Sequence, residues 1–143
     1  MLRAVMPESI APPAANYAHA VLSTDTRRWL HTSGVVPVAP DGQVPEGVAA
    51  QADVVWANLA AVLADADMGP DDVVSVTTYV VASAMGAGLG AGLGAGLGAG
   101  LGEAMAARDA FLGGRRVAST LVTVPALAQP AWLIEISLVA AAG

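Results

Sequence analysis

The stretch that most narrows what this chain can fold into is Val117–Ala140, VASTLVTVPALAQPAWLIEISLVA. Ala118–Val124 is rich in β-branched residues and Trp132–Val139 alternates around Glu135, so the stretch reads as two strands joined by a turn. Pro125 and Pro130 bracket the connection, because proline has no N–H to give to a ladder. Glu135 lies inside the otherwise apolar run Trp-Leu-Ile-Glu-Ile-Ser-Leu-Val. A carboxylate there is costly unless it is exposed, paired or used. Alternation puts Trp132, Ile134 and Ile136 on one side and Leu133, Glu135 and Ser137 on the other. Pattern alone is satisfied by a Glu135 on the solvent face.

A chain of 143 residues is long enough for one domain with a real core. At 55% hydrophobic and 13% charged residues it is neither disordered nor a coiled coil. So much apolar surface on a small chain predicts burial between subunits. The net charge is −6, and basic residues cluster only at Arg27-Arg28 and Arg115-Arg116. That disfavours nucleic acid as a partner, since backbone binding needs a positive footprint. The absence of cysteine excludes disulfides, thiol nucleophiles and zinc–thiolate sites. All six basic residues are arginine, so a lysine Schiff base, the usual attachment of pyridoxal phosphate, is excluded too. Met1–Ile10 has no apolar core before Pro7 and Glu8, so no secretion signal is expected there and the cytoplasm is the expected setting.

Along the chain, Tyr17–Ser23 reads as a strand and Trp29–Ser33 as a second, running through Gly34 into Val35–Val38, with a turn at Pro40-Asp41-Gly42. Gly47–Ala66 is the clearest helix: Val48, Ala52, Val55, Leu59, Val62 and Leu63 recur at three- and four-residue spacing, with Gln51, Asp53, Asn58 and Asp65 off the stripe and Trp56 flanking it. Met68-Gly69-Pro70 ends it. Val73–Ala82 reads as a strand and Glu103–Leu112 as a second helix closed by Gly113-Gly114. Between them, Gly86–Gly102 holds four GAGL units and a closing glycine. A glycine at every second position disfavours a helix by about 1 kcal/mol each relative to alanine. The stretch has no aromatic belt or flanking basic residues to suit a membrane, and no Lys, Ser or Thr to help cradle a phosphate. It reads as a repeat inserted in a surface connection. The expected fold is therefore a single α+β domain over residues 1–143, a mixed, mostly antiparallel sheet with two helices on one face, interrupted at 86–102.

Six segments in this order carry a resemblance: Ala-Asn-Tyr-Ala-His-Ala-Val (14–21), Trp-Leu-His-Thr-Ser-Gly-Val-Val-Pro (29–37), the helix with Val55, Asn58, Leu59, Val62 and Leu63, Asp-Asp-Val-Val-Ser-Val-Thr-Thr-Tyr-Val (71–80), Ala-Ser-Thr-Leu-Val-Thr-Val (118–124) and Leu-Ile-Glu-Ile (133–136). Over roughly residues 10–140 the chain resembles the reactive intermediate deaminase (Rid) family, long labelled endoribonuclease L-PSP. The resemblance implies a chorismate-mutase-like fold and a homotrimer with active sites in the clefts between subunits. It also implies, in deaminating members, hydrolysis of enamines and imines to keto acids and ammonia without a cofactor.

Residue by residue, Glu135 matches the family's water-positioning Glu, Tyr17 its N-terminal Tyr and Ser33 the Ser of its Ser-Gly motif. A carboxylate suits that role, since it can orient water and relay its proton. The chain departs from the family where an Arg holds the substrate carboxylate: here Ala118 stands in Val-Ala-Ser-Thr, without a guanidinium fork. Arg116, two residues upstream on the same strand face, is the candidate replacement, although in the pair Arg115-Arg116 it reads equally as a solvated or interface arginine. The Asn often found on the second helix is also missing from Ala104–Arg108. His19 and His31 have no carboxylate at ligand spacing, so no metal site is expected. The expectation is a cofactor-free imine or enamine hydrolase acting on a small molecule, with substrate contacts from Ser33, Arg116 and the Ala118 position. The alternative is a non-catalytic trimer that binds a metabolite or protein in the same cleft.

Overall fold

The computed structural model describes residues 1–85 and 99–143. Among the described residues, six strands and two α-helices are arranged as β1 (Leu2–Val5), β2 (Ala20–Ser23), β3 (Arg28–His31), α1 (Val48–Asp65), β4 (Val73–Val81), α2 (Ala99–Phe111), β5 (Ala118–Val124) and β6 (Ile134–Ala142). Strands β1 and β2 form a two-stranded antiparallel sheet, and the other four form a sheet in the order β3-β6-β4-β5. The β3–β6 and β4–β6 pairings are antiparallel and β4–β5 is parallel. The chain is thus the expected α+β fold with a mostly antiparallel mixed sheet.

Alternation along the strands sets the two faces of the sheet. Ile134, Ile136, Leu138 and Ala140 of β6 are buried with Val76 and Val80 of β4 against Val55, Leu59 and Leu63 of α1. Both helices pack on that face, and Trp56 of α1 stacks on Phe111 of α2 with ring centroids 4.5 Å apart. The opposite face carries Glu135, Ser137 and Val139, each half-buried. On that outer face Glu135 pairs with Tyr79 of β4, and Tyr79 in turn with Val122 of β5.

Four local expectations are corrected. Ala118–Val124 and the C-terminal strand are not neighbours, because β4 inserts between them and the chain between Pro125 and Pro130 crosses past it. On α1, Val62 is exposed and Gln51 is buried, since α2 covers the side of the helix where Trp56, flanking the stripe, widens the buried face. Leu2–Val5, for which the local sequence carries no strand signal, gains its ladder from Ala20–Ser23. The Tyr17–Ser23 and Trp29–Ser33 strands are shorter, Ala20–Ser23 and Arg28–His31, with Ala18 and Val35 kept as single bridges.

The helix ends show why they stop. Asp67 takes φ +52°, Met68 N–H bonds the Leu63 carbonyl at 2.9 Å and Asp67 N–H that of Ala64 at 3.0 Å. That is a Schellman closure with Asp in the left-handed position usually given to Gly. Gly113 and Gly114 close α2 in the same way, onto Ala110 and Asp109. Of the GAGL repeat, residues 86–98 lie outside the described residues, while 99–102 form the first turn of α2 with Leu101 buried.

Candidate functional site

Two groups of side chains stand out, at different places on the sheet. The first is built on β6 and the segment after β3. Thr32 N–H bonds the Leu138 carbonyl at 3.1 Å, and Val35 exchanges bonds with Ile136 at 2.7 and 3.1 Å. Ser33 and Gly34 therefore stand opposite the single residue Ser137, a β-bulge of the kind that re-aims side chains beside functional sites. The bulge lays Gly34 against the Glu135 carboxyl: a Cβ on Gly34 would lie 2.7 Å from both Cδ and Oε1. Ser33 is exposed beside it, and Glu135 is half-buried. No hydrogen bond or ion pair to the Glu135 carboxylate is found among the described residues.

The second group lies at the β5 edge. Ala18 N–H bonds the Val117 carbonyl at 2.9 Å and bridges Ala118 in parallel, which fixes Tyr17 beside the start of β5. A cleft of about 370 Å³ opens there, bounded by Tyr17, Met105, Arg108, Ser119, Thr120 and Leu121 among others. That volume suits a small metabolite. Arg108, in the last turn of α2, is 5% exposed. Its Nε and Nη2 donate to Asp109 Oδ1 at 3.0 and 2.8 Å, Nη1 to Ser119 Oγ at 3.3 Å and Nη2 to the Asn16 carbonyl at 3.3 Å.

Tyr17 is therefore in the cleft, while Glu135 and Ser33 are not part of its lining. With β4 between β6 and β5, the two groups are separated by roughly 10 Å of sheet. Ala118 is half-buried on the outer face with Thr120, across from Ser75. Arg116 precedes β5, is exposed and donates from Nε to Asn16 Oδ1 at 3.3 Å. His19 contacts the Ala11 carbonyl at 2.9 Å and His31 stacks on Trp29 at the surface. No cluster of three metal-binding side chains occurs among the described residues.

Sequence reasoning passed over Arg108 and Gly34. For Arg108 a signal existed: Leu101, Ala104, Arg108 and Leu112 recur at helical spacing and all four are buried, so a cation sits on an apolar stripe. For Gly34 the requirement is the approach of a carboxyl from a strand a hundred residues away, which no local pattern announces.

The comparisons agree with this architecture. The model of the family described as endoribonuclease L-PSP matches residues 8–89. YyfB of Yersinia pestis, a protein of unknown function of the conserved Rid protein family, is 33% identical over 99% of this chain and 98% of its own, with a TM-score of 0.79. Yeast YEO7 is 25% identical over 99% and 98%, with a TM-score of 0.64. E. coli TdcF, solved with bound serine, is 20% identical over 96% and 94% at a TM-score of 0.64 and shares the fold. No curated protein matches the sequence. The family model over residues 8–89 and the full-length match to YyfB, on a mixed four-stranded sheet under two helices, give one assignment: the chain belongs to the Rid family, described also as endoribonuclease L-PSP.

Proposed function

We propose that this Rid-family chain is a cofactor-free hydrolase of small imine- or enamine-type metabolites, working as a homotrimer with its active site between subunits. The observation that carries this reading is Glu135, a half-buried carboxylate seated over Gly34 on the outer face of the sheet. Water adds to the carbon of the C=N bond while Glu135 accepts its proton. The nitrogen is protonated, and the amino alcohol so formed collapses to a carbonyl with release of ammonia. One water is consumed per C=N bond, and Glu135 ends as it began. The hydroxyls of Tyr17 and Ser33 orient the substrate.

Separation of the two groups within one chain supports an intersubunit site, with Glu135 and Ser33 of one protomer facing the Tyr17 cleft of its neighbour. The half-buried outer face, with Glu135, Ser137 and Val139, suits burial against another copy. The acidic balance favours neither RNA nor DNA, and the expected setting is the cytoplasm, away from membranes. The candidate membrane-length helix α1 supports this reading too, since its Val48, Val55, Leu59 and Leu63 pack in the core.

A second reading, a trimer of the same fold that binds a small metabolite or protein without turnover, is favoured by Ala118, which brings no charge to the outer face. The test generates 2-aminoacrylate with a lyase and asks whether the protein competes with semicarbazide for it. Wild type should compete, and Glu135→Gln should lose about 100-fold or more while still binding the keto-acid product. Wild type without turnover, but with product binding intact, would establish the binding module instead.

A further inference from the structure

We infer that Leu101, the last leucine of the GAGL repeat, sets how large an apolar substituent the cleft beside β5 accepts. This role deepens the hydrolase reading and rests on it for the kind of ligand. Ala99, Gly100 and Leu101 of the last repeat unit, with the closing Gly102, form the first turn of α2. The two described glycines of that turn differ. A Cβ on Gly100 would overlap the Ala84 carbonyl oxygen and lie 3.4 Å from Val48 Cγ2, whereas one on Gly102 would meet nothing within 4 Å. Gly100 therefore lets the start of α2 settle onto the backbone after β4 and onto α1, where no side chain fits. The depth and rotation of the turn are fixed by that approach, and with them the side of the helix on which Leu101 stands.

That side is the cleft. Leu101 is 9% exposed and lines it with Met105, one turn further along α2, and with Leu121 of β5. The polar part of the lining is elsewhere. Tyr17 is fixed beside the start of β5, and Ser119 meets Arg108 at 3.3 Å. Arg108 follows Leu101 by seven residues, which is about 10 Å along the helix axis. A ligand whose polar group is held near Tyr17 and Ser119 thus runs its apolar substituent past Met105 and ends it at Leu101.

Leu101 makes a firm end to that path because it belongs to two environments. It lines the cleft, and it also packs in the buried core with Val48 and Ala104. Close packing behind it leaves it little room to retreat. Met105 is only partly buried and is unbranched, so it adapts to what lies beside it. A substituent gains affinity with each methylene until it reaches Leu101, and the next carbon overpacks the site. The last unit of the repeat thereby supplies a specificity-determining side chain.

The experiment is a calorimetric titration of the intact protein with straight-chain 2-oxo acids, from pyruvate to 2-oxooctanoate. Wild-type affinity should rise by about fourfold per methylene and then fall by about tenfold at a limiting length. Leu101→Ala should move that limit outward by about two carbons, Leu101→Val by about one, and Leu101→Phe should move it inward. Gly102→Ala, whose added carbon meets open space, should leave it in place. A role for Leu101 in folding alone would weaken every member of the series together and leave the limit unmoved. Circular dichroism identifies any variant that fails to fold, and Leu101→Val then carries the test. A limit shared by wild type and Leu101→Val overturns the inference. So does the absence of any limit out to 2-oxooctanoate, or failure of wild type to bind any member. A limit that moves with residue 101, in a protein that does not compete with semicarbazide for 2-aminoacrylate, would retire the hydrolase reading and leave the role of Leu101 standing. Turnover of 2-aminoacrylate with an unmoved limit would do the reverse.

Discussion

Gly34 is a position where one added carbon separates stability from chemistry. Its Cβ would fall 2.7 Å from the Glu135 carboxyl, and the atoms it meets are the far end of a flexible side chain. The carboxylate can swing aside, so Gly34→Ala should cost about 1 kcal/mol or less in thermal unfolding. Under the proposed mechanism, in which Glu135 orients water, displacing its carboxylate should lower the rate of imine hydrolysis by about 10- to 100-fold. A full rate in Gly34→Ala would mean that the carboxylate is not used in the position it occupies here. Glu135 was legible in the sequence because a charge interrupts an apolar run. Whether it was a surface residue or a site was not legible, because the same alternation serves both, and no local pattern places Gly34 against its carboxyl.

Among the elements, α1 is tied to two distant segments by one side chain. Gln51, 2% exposed, donates to the carbonyls of Pro45 and Ala131 at 2.9 and 2.8 Å and accepts from Leu133 N–H at 2.8 Å. The chain leading into β6 is therefore anchored on the helix, which sets where Glu135 emerges two residues later. Gln51→Leu would leave two carbonyls and an amide without partners. It should cost about 3 kcal/mol and lower the melting temperature by roughly 10 °C, measured by calorimetry. A shift under about 2 °C would show that water replaces the amide. The three- and four-residue spacing of α1 and the flanking Trp56 were legible, but the burial of Gln51 and the exposure of Val62 were set by the packing of α2, through the Trp56–Phe111 stack. The connection after β5 reads in the sequence as a turn because two strong strands flank two prolines, and nothing local reports that β4 lies between those strands.

For the whole molecule, the expectation is assembly. Light scattering should give three chains per particle, and a stable monomer would contradict an active site built between subunits. Removing two whole repeat units, residues 87–94, keeps Leu101 and the first turn of α2. Shortening a connection of this kind changes its closure entropy by less than about 1 kcal/mol. The shortened chain should therefore assemble and melt like the parent, and a monomeric or unfolded product would assign the repeat a part in the assembly.

The sequence by itself determined the α+β class, the family, the places of α1, β4 and β5, and the absence of thiol and lysine chemistry. These follow from periodicity, residue type and ordered motifs, which are properties of short windows. The tertiary structure alone decided that β5 lies parallel to β4, that Ser33-Gly34 bulge beneath Glu135, and that the cleft beside Tyr17 is furnished by Arg108, with Arg116 held outside on Asn16. Each of those depends on residues far apart in the chain meeting at a few ångströms, and such meetings are settled by how the helices and strands pack together.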